Sequence, residues 1–264
     1  MLPRVSLIRC EDADYLLFST RDAVSSTIYF NGDWAKPLLT ISRLFYHGID
    51  NPFILDIGAN LGAYCIPIAK AIQAQSGSIF AFEPQRIIFY QLCGNVFLNR
   101  LDNVFAFCQA LGDEEGMITL PAINYGNSAN IGGFSLDEKI RAITQPVETI
   151  KHGFEPEVPL LRLDNLSVPQ SPCLIKIDVE GLELKVLKGG MRFLEKHGYP
   201  PILLEAWTND WFEKDRQELL DFIKQLGYEI FEIMDEVIAQ HPGFTRFIKF
   251  YTDPDGTIRM EQVR

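Results

Sequence analysis

"FILDIGANLGAY", residues 53–64, is the stretch that decides the fold. Three apolar residues run straight into Asp56, and Gly58, Asn60 and Gly62 follow at two-residue steps. An unbroken apolar run suits a strand buried on both faces of a parallel sheet. A Gly-rich turn that leaves such a strand and opens a helix is a common ligand cradle. Gly58 is expected to let the backbone turn sharply with a ligand lying on it, and Gly62 to let the helix start close to the strand.

The strand–helix alternation continues outward from this point. "SIFAFEP" (78–84), "VFAFCQALGD" (104–113), "CLIKIDV" (173–179) and "PILLEAW" (201–207) read as further strands. Helical segments separate them, and "EGLELKVLKGG" (180–190) is stopped by two glycines. "YEIFEIM" (228–234) and "FTRFIKFYT" (244–252) read as a terminal antiparallel pair. Before residue 50, "YLLFST" (15–20) and "STIYF" (26–30) read as short strands and "WAKPLLTISRLFYHG" (34–48) as a helix. The expectation is an α/β fold: a doubly wound, mostly parallel, seven-stranded Rossmann-like sheet with a terminal antiparallel hairpin. Residues 1–50 form an N-terminal strand/helix extension packed on a main domain at 51–264, which carries an insert at about 114–160.

Composition is that of a globular protein, 47% hydrophobic and 22% charged, so a sizeable core is available. The net charge of −11 disfavours nucleic acid as a partner and favours a small-molecule or glycan substrate. No apolar stretch is long enough to span a membrane, and no signal peptide is seen. The five cysteines are scattered with no CxxC pair, which reads as reduced thiols in a cytoplasmic protein.

Ligands of doubly wound sheets sit at the carboxyl ends of the parallel strands. Those ends carry Asp56, Gly58, Asn60 and Gly62; then Glu83 and Pro84; then Asp113; then Lys176, Asp178 and Glu180; then Glu205 and Trp207. A dinucleotide fingerprint would read GxGxxG, and here Asn60 fills the place where a pyrophosphate needs room. Glu83 stands 25 residues beyond Gly58, where an acid accepts both hydroxyls of a ribose. A ribose without a pyrophosphate suggests S-adenosylmethionine. Asp56 or Asp178 is expected to face its ammonium group, and Asp113 its adenine amine.

The chain resembles the FkbM-type family of class I S-adenosylmethionine-dependent methyltransferases. The matching pieces are "ILDIGANLGAY", "FAFEPQ" with "LCGNVFLN", "QALGDEEG", "LDNL", "LIKIDVEGLELKVLKGG" and "ILLEAW", in the family's order, with "IYFNGDW" as the entry segment. The resemblance implies methyl transfer, usually to a hydroxyl of a sugar, polysaccharide or secondary metabolite. The insert and the last 55 or so residues match loosely, and they are the segments expected to choose the acceptor.

A period of two puts Lys176, Asp178 and Glu180 on one face of a central strand. Asp178 is the expected base or cofactor contact, Lys176 its partner, and Glu180 a holder of loop or substrate. Glu183 fits a helix start better than catalysis. Asn127, Asn130, Glu205, Trp207 and His241 are candidate acceptor contacts, with His152 a further candidate base. A divalent metal on Asp178, Glu180 and Glu205 is conceivable but not expected. N-methylation on the same scaffold, a nucleotide-linked dehydrogenase or epimerase, and an idle cofactor-binding protein are the alternatives.

Overall fold

The computed structural model describes residues 2–19, 22–126, 130–144, 148–150, 156–255 and 257–264. The chain opens with the hairpin β1 (Val5–Arg9) and β2 (Asp14–Phe18), then α1 (Ala23–Asn31) and α2 (Lys36–Tyr46). Residues 26–30 are therefore helical, where β-branched and aromatic composition had suggested a strand. Asp22 explains the difference: its side chain accepts the Ser25 N–H and caps α1.

The alternating unit follows: β3 (Phe53–Ile57), α3 (Cys65–Gln73), β4 (Ser78–Phe82), α4 (Arg86–Leu98) and β5 (Val104–Phe107). Pro67 is the third residue of α3, where its missing N–H costs no helical bond. The strand expected over 104–113 breaks after Phe107. Its second half is β6 (Ala110–Gly112), which leaves the main sheet for a small one of order β6-β8-β7. Between them lie β7 (Gly116–Thr119), α5 (Glu138–Thr144) and β8 (Glu157–Arg162).

The main unit resumes with β9 (Leu174–Ile177), α6 (Glu183–Lys188), α7 (Met191–Lys196), β10 (Ile202–Glu205), α8 (Glu213–Gln225), β11 (Glu229–Ile233) and β12 (Glu236–Gln240). Last comes a separate hairpin of β13 (Ile248–Thr252) and β14 (Ile258–Gln262). The seven-stranded sheet has the order β11-β12-β10-β9-β3-β4-β5. Neighbours from β10 to β5 run parallel, and β12 runs against both of its neighbours. The hairpin partner of β11 is thus residues 236–240, not 248–252. The turn that joins them, Met234-Asp235, lacks the usual Gly or Asn, although Met234 stands at φ +56°.

Alternation along the strands divides the core. Ile54 and Leu174 face the helices α2 and α3, while Leu55, Ile57, Ile175 and Ile177 face α6, α7 and α8. The N-terminal segment is joined to this frame by an amide ladder on α4. Gln91, Asn95 and Asn99, four residues apart, share one helix face. Gln91 Nε2 donates to Leu16 O, Asn95 Oδ1 accepts the Leu16 N–H, and Asn99 pairs with both backbone groups of Asp14. The exposed edge of β2 is satisfied by side chains instead of a strand. Strand order reverses between β3 and β9, and the loops leaving these two strands form the site.

Candidate functional site

The turn after β3 consumes its own donors. The N–H groups of Gly58 and Ala59 both reach Phe82 O, at 3.0 and 2.9 Å. Asn60 donates its N–H to Glu83 Oε2 at 3.0 Å, Leu61 to Asn60 Oδ1 at 2.7 Å, and Gly62 to Ala59 O at 2.9 Å. No backbone donor from 58 to 62 is left for a pyrophosphate. Both glycines answer to packing. Gly58 stands at φ +85°, and a Cβ there would lie 1.8 Å from Asp178 O. Gly62 stands at φ +92°, and its Cβ would strike Ile66 and Leu92.

Two clefts open above these strand ends. The first is lined by Gly58, Glu83, Pro84, Gln85, Gln109 and Ala110, and by Gly132 and Phe134 of the insert. The second is the larger, and its apolar lining residues include Val24, Trp34, Leu38 and Tyr64. Asn60, Asn130, Lys176, Asp178, Glu180, Glu205 and Trp207 complete it. Gly58, Asp178 and Glu180 line both, so the clefts meet there.

In the first cleft Glu83 is the organising group. It is 5% exposed. Its Oε2 takes the Asn60 N–H and its Oε1 the Gln85 N–H at 2.8 Å. A carboxylate has about four acceptor sites, so one remains on each oxygen, as two vicinal hydroxyls require. Burial pushes the Glu83 carboxyl up to about 7 against those two backbone bonds. Gln85 Nε2 donates to Ile131 O, while its Oε1 is a buried acceptor with no hydrogen-bond partner among the described residues. A nucleoside brings the donors that these carboxylate and amide oxygens lack, so the residues present fit S-adenosylmethionine.

Lys176 governs the junction. Its Nζ lies 3.1 Å from Asp178 Oδ2 and 3.5 Å from Asp56 Oδ1, and it donates to Gly58 O at 3.1 Å. The Tyr64 ring lies 5.5 Å away. Burial opposes the Lys176 charge, but Asp178 and then Asp56 outweigh it and hold the ammonium protonated. Glu180 reaches the site by a turn, not by the pleat, because β9 ends at Ile177. Glu180 stands at φ +57° and Gly181 at φ +89°, an uncommon pair of left-handed residues. Glu183 secures that turn: its Oε1 accepts the N–H groups of Val179 and Gly181.

Glu205 ends β10 directly opposite Glu236 of β12. Burial, then Asp178 and Glu180, push the Glu205 carboxyl up to about 10. Burial, with Asp178 and Glu183, likewise raises the Glu180 carboxyl well above the ordinary range. Trp207 packs on Phe212 and Trp211 at centroid distances of 5.0 and 5.5 Å.

Several expected contacts lie elsewhere. Asp56 is fully buried and lines neither cleft; it faces Lys176 and not a ligand. Gly62 also lines neither cleft. Asp113 follows β6 into the small sheet and approaches Gly189, so Gln109 and Ala110 stand where it was expected. His241 follows β12, whose residue Ala239 pairs with Ile202 at the amino end of β10. It therefore lies at the far end of the sheet, stacked on Tyr199 at 4.6 Å. Asn127 and His152 fall outside the described residues. Among the described residues no group of three or more His, Cys, Asp or Glu is arranged to hold a metal ion. Nor is any helix long and apolar enough to cross a membrane. Sequence reasoning missed Gln85, Gln109, Trp34 and Tyr64. Gln85 had a signal, two residues after Glu83; the aromatic residues had none.

Residues 56–230 match the family described as "Methyltransferase FkbM domain". The chain is 31% identical over 160 residues to "Methyltransferase sdnD" of Sordaria araneosa, covering 53% of this chain and 60% of that protein. It is 28% identical over 149 residues to "Methyltransferase 1" of Beauveria bassiana, covering 53% and 59%. The matched region thus spans about three-fifths of the length of these relatives. Among solved structures, methyltransferase FkbM from Methylobacillus flagellatus is 20% identical with a TM-score of 0.45, covering 72% of this chain and 43% of that one. An S-adenosylmethionine-dependent O-methyltransferase from Thermotoga maritima is 14% identical with a TM-score of 0.46, covering 99% and 72%.

Proposed function

The chain belongs to the FkbM methyltransferase family, and on that footing we propose that it transfers a methyl group from S-adenosylmethionine to a hydroxyl of a sugar or secondary-metabolite acceptor. The observation that carries this reading is the meeting of two clefts at Gly58, Asp178 and Glu180, one of them organised by Glu83 and Gln85. Glu83 would hold the ribose hydroxyls, and Gln85 and Gln109 would wall the base. The bound cofactor supplies an electrophilic methyl group on a sulfonium centre.

The rest is done by the chain. The second cleft holds the acceptor hydroxyl beside Asp178, which converts an encounter between two molecules into an oriented one. Lys176 fixes Asp178 Oδ2 and leaves Oδ1 to take the hydroxyl proton as the oxygen is methylated. Glu180 and Glu205 border the cleft as hydrogen-bond partners for the acceptor's other hydroxyls. A dinucleotide does not suit this loop, because its N–H groups are all engaged.

The test is incubation of the protein with S-adenosylmethionine and a panel of glycosides and polyols, read by mass spectrometry. Gain of one methyl on oxygen, with S-adenosylhomocysteine in equal amount, is the expected result. Methylation confined to amines would replace this reading with N-methyl transfer.

A further inference from the structure

A third cleft lies between the start of α4 and the insert. Arg86, Ile87 and Tyr90 line it from α4, and Ala122, Ile123 and Ile150 from the insert. It shares Gln85 with the first cleft and no residue with the second. We propose that this third cleft binds a free single-chain carboxylate of the fatty-acid class. The carboxylate sits on Arg86 and the hydrocarbon chain lies along the insert. The proposal does not rest on the methyltransferase reading.

Arg86 is the only charged side chain among the described residues that line the cleft. Among the described residues it makes no ion pair, and its Nε is buried without a hydrogen-bond partner. Its guanidinium lies 5.5 Å from the centroid of the Tyr90 ring, one turn further along the helix. A guanidinium carries five N–H donors and no acceptor, so burial without an anion is costly. Glu83, three residues earlier, is not that anion, because its two oxygens take the N–H groups of Asn60 and Gln85. Arg86 is also the first residue of α4, where the helix dipole opposes a cation. The first turn of α4 holds no acid, and the N-cap residue Gln85 makes no side-chain cap. Guanidinium and helix start thus carry the same sign towards one cleft, and a negative group is what they lack.

The remaining lining selects the kind of anion. One cation balances one negative charge. A dianionic phosphate would leave charge uncompensated among apolar walls, in a chain of net charge −11. A planar carboxylate also matches the guanidinium fork. Ala122 and Ile123 are buried, whereas Tyr90 and Ile150 stand 56% and 42% exposed, so apolar lining runs from the interior to the surface. A hydrocarbon chain would cover that surface as its carboxylate meets Arg86. The acidic chain disfavours an anionic bilayer as the source, which leaves the free acid.

Calorimetry on the whole protein at pH 8 tests the assignment with three probes: octanoate, 1-octanol and octyl phosphate. Octanoate should bind saturably, 1-octanol at least about tenfold more weakly, and octyl phosphate no more tightly than octanoate. Arg86→Gln should weaken octanoate at least about tenfold and leave 1-octanol unchanged. Its melting temperature should not fall, because a cation at a helix start is not stabilising. A diazirine-bearing octanoate, photolysed on the native chain, supplies a readout that needs no variant. It should label peptides that carry Ile87, Ile123 or Ile150. Absence of saturable octanoate binding, or equal binding of 1-octanol, would overturn the proposal. So would tighter binding of octyl phosphate, unchanged octanoate affinity in Arg86→Gln, or labelling confined to the second cleft. Titration with S-adenosylhomocysteine tests the methyltransferase reading separately, and neither result decides the other.

Discussion

Asp22 and Ile131 lie 109 residues apart, and a 2.9 Å hydrogen bond joins the Ile131 N–H to Asp22 Oδ1. The carbonyl of Ile131 accepts from Gln85 Nε2 at 3.1 Å. Both backbone groups of one loop residue are thus pinned, one near α1 and the other at the start of α4. The residues beside it face the two clefts: Gly132 the first, Asn130 and Gly133 the second. Loss of this latch should loosen the roof over the cofactor. Asp22→Ala is expected to weaken S-adenosylhomocysteine about tenfold, the worth of one to two buried hydrogen bonds. Loss of the helix cap should also lower stability by about 1 kcal/mol. Calorimetry and thermal unfolding separate the two effects. A fall in melting temperature with unchanged affinity would leave Asp22 a cap alone.

Lys176 joins Asp56 to Asp178, and the two acids predict different outcomes. Lys176→Met leaves Asp56 fully buried beside no cation, which should cost about 3–5 kcal/mol of stability. Asp178→Asn keeps the shape of the more exposed partner and removes the proton acceptor. Turnover should fall at least about 100-fold while S-adenosylhomocysteine binding changes little. Denaturant unfolding checks the first variant, and single-turnover methyl transfer the second. A fully active Asp178→Asn enzyme would place the base elsewhere.

Glu183 gives a pH-dependent prediction of defined sign. Burial raises its carboxyl from the ordinary 4.5 to about 7. The folded chain then holds a proton that the unfolded chain has released between those values. Stability from this group is therefore present at low pH and is lost as pH rises through about 7. Glu183→Gln keeps an oxygen for the Val179 and Gly181 N–H groups. It should be more stable than the native chain at pH 8, by up to about 3 kcal/mol, and no more stable near pH 4. Equilibrium unfolding at the two pH values is the check.

Gly58→Ala tests the close approach of β3 and β9. The added methyl would lie 1.8 Å from Asp178 O, and the residue would sit at φ +85°. Neither atom is the end of a flexible side chain, so the strands must part. A loss of at least about 3 kcal/mol is expected, most of it from the clash, since the left-handed conformation alone costs about 1–2 kcal/mol. A variant unfolding within 1 kcal/mol of the native chain would show that the sheet yields.

The sheet was legible in the sequence because buried parallel strands write unbroken apolar runs, as "FILDI" and "CLIKI" do. Glu83, Asp178 and Glu180 were legible because acids after such runs occupy strand ends. What stayed hidden depended on the third dimension. Asp56 reads as a strand-end acid, yet its pleat position turns it onto Lys176. His241 was misplaced because β12 was not recognised as a strand, which reverses the end of the sheet it reaches. The aromatic lining of the second cleft comes from Trp34 before α2, Tyr64 before α3 and Trp207 after β10, which no local pattern connects.

The most direct test of the account is calorimetric titration of the native chain and Glu83→Gln with S-adenosylhomocysteine and with NAD, from pH 6 to pH 9. The Glu83 carboxyl titrates at about 7, and only its ionised form keeps both oxygens free to accept hydroxyls. The native chain should bind S-adenosylhomocysteine and not NAD, with affinity falling as pH drops below about 7. Glu83→Gln should bind more weakly and without that pH dependence. Tight binding of NAD, or a Glu83→Gln chain that binds S-adenosylhomocysteine as the native chain does, would contradict the assignment.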